Sequence, residues 1–173
     1  LYFNYDPGAN SDLEKSLAEI RFMVRRLGEI GLDPRLLVCE ITEAAALDSG
    51  TLLRLSEEIR SHGLLIAVDD YGTGHSTQNR LDLLKPDIVK IEGAWFRKLC
   101  GELRLLNSVI AGMKARGARV LVEGVEDDSQ LCFGLQADAD LFQGYYLGVP
   151  ALVGTVFADT PLDRLHALVD VNV

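Results

Sequence analysis

Asp69 and Asp70 stand side by side at the end of an apolar run, LLIAVDD, and a glycine-broken stretch, YGTGH, follows at once. Two adjacent like charges beside buried residues repel each other unless cations or hydrogen-bond donors hold them. The same placement recurs along the chain. Asn4 closes LYFN; Glu40 closes LLVCE, with Glu43 just beyond; Lys90 and Glu92 flank the end of DIVKI; Glu123 and Glu126 follow RVLV; Gln143 follows LF. Taken singly, each is more readily a helix cap, a loop charge or half of a structural pair. Taken together, Asn4, Glu40, Asp69, Asp70 and Glu123 crowd oxygen ligands into one mouth, provided that the strand ends converge. A donor set without histidine or cysteine suits Mg²⁺, Mn²⁺ or Ca²⁺ better than zinc. Two such ions sharing the aspartates would clamp the attacking and leaving oxygens of a phosphoryl displacement.

The histidines stand apart from this set. His62, near a helix end, and His166, in the tail, read as structural or exposed, and His75 reads as a loop residue after Asp70. Trp95, Phe96, Tyr145 and Tyr146 read as packing residues, with Tyr146 close to the expected mouth.

The elements that must position these groups follow from periodicity. Strands are expected at 1–5, 36–41, 64–69, 87–91, 119–124 and 141–147. Helices are expected at 11–31, 49–63, 78–84, 95–117 (with a weak point at Gly101) and 128–136, and in the tail from Thr160. Nearly all-apolar strands alternating with helices mean a parallel sheet covered by helices. A doubly wound open sheet and a (β/α) barrel both fit; in a barrel the strand ends meet on one active face. Gly72-Thr73-Gly74 lacks the third glycine of a dinucleotide fingerprint.

Composition narrows the classes. With 173 residues, 48% of them hydrophobic, the chain can bury one sizeable core. A formal charge of −9 argues against a nucleic-acid partner, which needs a basic face. Cys39, Cys100 and Cys132 are scattered, with no CxxC, which fits a reducing, cytoplasmic setting rather than a zinc cage or disulfide framework. No apolar run approaches the roughly 18 residues of a membrane span.

The ordered motifs resemble the EAL-domain cyclic-di-GMP phosphodiesterases over nearly the whole chain. FN at 3–4, EITE at 40–43, DDYGTG at 69–74, PDIVKIE at 86–92, EGVE at 123–126 and QGYYLGVP at 143–150 carry the resemblance, with Tyr71 and Glu92 where the family has phenylalanine and aspartate. It implies a single EAL-like domain over 1–173 with a modified TIM-type barrel. The implied reaction is hydrolysis of cyclic-di-GMP to linear pGpG in second-messenger signalling, using two Mg²⁺ or Mn²⁺ ions. By the same resemblance Asn4, Glu40, Asp69, Asp70 and Glu123 hold metal, and Lys90 positions or polarises the attacking water. Glu123 assists as base, Gln143 supports the site, and Glu43 tethers the loop from Asp69 to Ser76. A homodimer and an upstream sensory or GGDEF domain are implied partners. The tripeptide that names the family does not occur in the chain. The expectation is therefore that the barrel's first two strands and one metal-binding glutamate belong upstream, and that the 173 residues alone are inactive. The alternative is a non-catalytic module that binds cyclic-di-GMP or a protein.

Overall fold

The structure, a computed structural model, describes residues 2–5, 13–42, 47–72 and 78–149. Glu43, His75, His166 and the tail helix expected from Thr160 lie outside the described residues.

Six strands form one sheet: β1 (Tyr2–Tyr5), β2 (Val38–Thr42), β3 (Leu65–Tyr71), β4 (Ile88–Ile91), β5 (Arg119–Val122) and β6 (Leu141–Phe142). Every neighbouring pair is parallel, and the strands lie in chain order. A doubly wound sheet reverses its strand order at a switch point; this one advances by one strand at every crossover. Of the two architectures open to the sequence, the fold is therefore a partial α/β barrel. Among the described residues β1 and β6 each have one strand neighbour.

The helices are α1 (Leu13–Glu29), α2 (Ser49–Ser61), α3 (Gln78–Leu84), α4 (Gly93–Leu99), α5 (Leu103–Lys114) and α6 (Asp128–Gln136). Local chemistry starts several of them. Asp48 accepts hydrogen bonds from Gly50 N at 2.9 Å and Thr51 N at 3.0 Å, capping α2. Asp127 accepts from Gln130 N at 2.9 Å, capping α6. The helix expected at 95–117 is two helices, and the break falls at Gly101, whose φ of +104° favours glycine.

Side chains alternate across the sheet, as the twofold period of a strand requires. Cys39, Ile41, Ile66, Val68, Val89, Ile91, Val120 and Val122 face the helices and share one core with Leu55, Ile59, Phe96, Leu106 and Ile110. Val38, Ala67, Ile88 and Leu121 form a separate small cluster on the other face, joined by Leu65 and Leu141. Two residues further along the same face come Glu40, Asp69, Lys90 and Glu123. The inner layer thus ends, strand by strand, in charge.

Four strands differ from expectation by two residues or more, among them β5, which ends at Val122 rather than 124. Pro34–Leu36 form a 3₁₀ turn, with Asp33 accepting from Arg35 N at 2.9 Å, so β2 starts at Val38 rather than 36. β3 runs on through Asp70 and Tyr71. β6 stops at Phe142 instead of 147, because Gly144 presses on the backbone of Val125: a Cβ there would lie 2.1 Å from the Val125 carbonyl oxygen. The chain turns, with Tyr146 N donating to Val125 O and Leu147 N to Gly144 O, each at 3.1 Å. Among the described residues no helix is long and apolar enough to cross a membrane.

Candidate metal centre

Four consecutive strands deliver one charged group each to the carboxyl end of the inner face. Lys90 Nζ lies 2.8 Å from Glu40 Oε1, 2.8 Å from Asp69 Oδ1 and 2.8 Å from Glu123 Oε1. The side chains of Lys90 and Glu40 are 7% and 8% exposed, so the charges meet where water screens little. Burial works against the Lys90 charge, but the bonds to Asp69, Glu123 and Glu40 outweigh it and raise its pKa, so Lys90 stays cationic. Burial raises the pKa of Glu123, and the charges of Asp69 and Asp70 add to that rise against the pull of Lys90. Three carboxylates therefore share one ammonium.

Successive residues of a regular strand point to opposite faces, so Asp69 and Asp70 should diverge. They do not, because β3 carries an extra residue here. Val68 pairs with Val89, and the next aligned pair is Tyr71 with Ile91: three residues on β3 span two on β4. Asp70 takes up the difference with φ +57°, a left-handed conformation that aspartate enters more readily than most residues, at a cost of roughly 1–2 kcal/mol. The bulge brings one oxygen each from Asp69, Asp70 and Glu123 within 4.8 Å of one another. Oxygens on opposite sides of one Mg²⁺ or Ca²⁺ are about 4–5 Å apart, so the set fits a hard cation. Asp69 Oδ1 is buried, with the Lys90 ammonium 2.8 Å away.

The other expected residues are placed less centrally. Asn4 aligns with Glu40 in the β1–β2 register, on the same face, with its side chain exposed. Gln143 contributes its backbone: its N–H donates to Val122 O at 2.9 Å and its carbonyl accepts from Val125 N at 3.1 Å, while the residue is exposed. Glu92 turns away from the mouth and caps α4, accepting from Ala94 N at 2.8 Å and Trp95 N at 2.7 Å; these bonds, from Ala94 first, lower its pKa. Glu126 is exposed, 3.6 Å from Arg97. His62 pairs with Glu58 at 3.1 Å, a structural contact. Trp95 packs edge-on against Tyr71, the ring centres 5.8 Å apart. The bulge itself was not foreseen from the sequence; the glycine two residues after Asp70 was its available signal.

Residues 11–150 match the EAL domain, and the chain belongs to that family. Over 132 residues it is 28% identical to the probable cyclic di-GMP phosphodiesterase PdeA of Escherichia coli (strain K12), covering 74% of this chain and 18% of PdeA. The fold superposes on the Bacillus subtilis YkuI protein, which has an EAL domain and was solved with substrate c-di-GMP and calcium. The TM-score is 0.80 at 27% identity, over 98% of this chain and 42% of that one. Klebsiella pneumoniae BlrP1, in a manganese and cyclic-di-GMP complex, matches with a TM-score of 0.77 at 25% identity, over 87% of this chain and 39% of that one. The chain thus spans less than a fifth of PdeA and under half of these two solved chains.

Proposed function

We propose that this chain is the catalytic part of a divalent-metal-dependent phosphodiesterase that hydrolyses cyclic-di-GMP to linear pGpG. The observation that carries the reading is the convergence of Glu40, Asp69 and Glu123 on one ammonium, with the Asp70 oxygen brought alongside by the bulge. The family, and the cyclic-di-GMP and metal bound by its solved members, support it.

Asn4, Glu40, Asp69, Asp70 and Glu123 would hold two ions, Mg²⁺ or Mn²⁺. When bound, such ions neutralise phosphate charge and raise the acidity of coordinated water. Lys90 has three N–H donors and three carboxylate contacts, so it must let go of one carboxylate to orient the attacking water. Glu123, beside Lys90 in the mouth, would take the water's proton. Water oxygen would then join one phosphorus as the P–O3′ bond breaks, the leaving O3′ taking a proton from solvent, and the products are a 5′-phosphate and a 3′-hydroxyl. Gln143 would support the mouth through the turn its backbone anchors. Glu43 would tether the loop that follows Asp70. A homodimer inside a longer protein with a sensory or GGDEF domain belongs to the same proposal.

The test is pGpG release by the purified protein with Mn²⁺, and its loss on adding EDTA. Saturable cyclic-di-GMP binding without cleavage would select the binding-module reading. Neither binding nor cleavage would overturn both.

A further inference from the structure

The geometry points to Trp95 as a positioning residue for the metal ligands: its indole is the outer wall that keeps the Asp69–Asp70 bulge in its bent conformation. This rests on the metal reading of the mouth. Gly72 follows the bulge with φ +111°, and it lies so close to the indole that a Cβ there would be 2.4 Å from Trp95 Cδ2 and 2.5 Å from Cε3. Tyr71, between the bulge and Gly72, meets the same ring edge-on at 5.8 Å. Both aromatic residues pack on the helix-side core, opposite the face that carries the carboxylates. The Tyr71 carbonyl is also held, by Glu92 N at 3.2 Å.

The ring in turn is fixed. Glu92 accepts from Trp95 N at 2.7 Å and from Ala94 N at 2.8 Å, which locks the first turn of α4. The six residues from Lys90 to Trp95 therefore grip the bulge from two sides. Lys90 contacts Asp69 on the inner face, and Trp95 blocks Gly72 on the outer one. Without the indole, Gly72 gains room to rotate, and Asp70 can relax from its left-handed conformation into a regular strand. Its carboxylate would then leave the cluster. A tryptophan that merely filled the core would affect stability alone; one that positions Asp69 and Asp70 also sets metal affinity.

Mn²⁺ binding is measured by electron paramagnetic resonance on the purified protein, Trp95→Ala and Trp95→Phe, with folding checked by circular dichroism. The expected result is an affinity loss of about 10–100-fold in Trp95→Ala, the usual range for groups that orient metal ligands, with most of it restored in Trp95→Phe. A second measurement needs no substitution at Trp95. It is the sole tryptophan, so its emission should change and saturate as diamagnetic Mg²⁺ binds, and Asp69→Asn should abolish the change. A folded Trp95→Ala with unchanged Mn²⁺ affinity overturns the proposal, as does emission indifferent to Mg²⁺ saturation. A protein that binds no Mn²⁺ at all overturns the metal reading and this proposal with it.

Discussion

Carboxylates gather at both ends of this sheet, but they are satisfied differently. At the amino end, Asp87, just before β4, accepts from Ile66 N at 2.8 Å and lies 3.3 Å from Arg60. Asp140, just before β6, repeats the device: it accepts from Val120 N at 2.8 Å and lies 3.0 Å from Lys114. Each of these two aspartates has its own backbone donor and a cation from the last turn of α2 or α5, Lys114 serving Asp138 as well at 2.8 Å. At the carboxyl end, Glu40, Asp69 and Glu123 share Lys90. The amino end is a closed structural arrangement. The carboxyl end sets three carboxylates against one ammonium, an excess of negative charge that the proposed cations would offset.

The contrast breaks most visibly at Asp69. Asp69→Asn should abolish cyclic-di-GMP hydrolysis and divalent-ion binding while the circular dichroism spectrum is kept, since an amide is neutral and a poorer bridge between cations. Near-normal turnover with Mg²⁺ would remove the two-metal assignment.

Lys90→Ala is next. It leaves buried carboxylates facing one another, which should cost about 3–5 kcal/mol of stability in metal-free buffer. Mn²⁺ at a hundredfold excess over its dissociation constant should return up to about 2.7 kcal/mol. Turnover should slow more than ligand affinity falls. Denaturant melts with and without Mn²⁺, beside initial rates, check both parts. A variant as stable as the parent in EDTA would mean that the three contacts are not the balance of charge described.

Asp140→Ala sharpens the comparison from the other end. It strands the Val120 N–H, a loss of roughly 1–3 kcal/mol, but should leave Mn²⁺ affinity as it was. An affinity change would show that the two ends are coupled.

The smallest effect is in acid. Glu58 bonds to Arg21 at 2.6 Å, which, helped by His62, lowers its pKa to about 2. A carboxylate lowered on folding contributes stability that is full above its unfolded pKa, about 4.3, and is lost as the pH falls through that value toward about 2. Glu123 has the opposite sign. Its raised pKa means that the folded state favours its protonated form, so its contribution declines as the pH rises through that raised value. Glu58→Gln should flatten the acid limb of the stability curve, and Glu123→Gln should flatten a limb at higher pH. The same limb from both variants would refute the assignment.

Much of this was legible in the sequence for a physical reason. Strand periodicity is local, so apolar runs ending in Glu40, Asp69, Lys90 and Glu123 fixed which residues would share a face. What escaped depends on distant contacts. The bulge lies in how β3 pairs with β4 past Val68, a contact between strands that no local pattern encodes. The short β6 follows from Gly144 meeting Val125, nineteen positions away in the chain. Glu92 looked like part of the mouth, and only the start of α4 turned it into a cap. The choice between a barrel and a doubly wound sheet also waited on strand order, which local pattern does not encode.

Isothermal titration of Mn²⁺ into the purified protein, Asp69→Asn and Asp140→Asn decides most directly whether the carboxyl end is built for cations. The expected result is saturable binding in the unsubstituted protein and in Asp140→Asn, and its loss in Asp69→Asn. Equal binding in all three, or none in the unsubstituted protein, would contradict it.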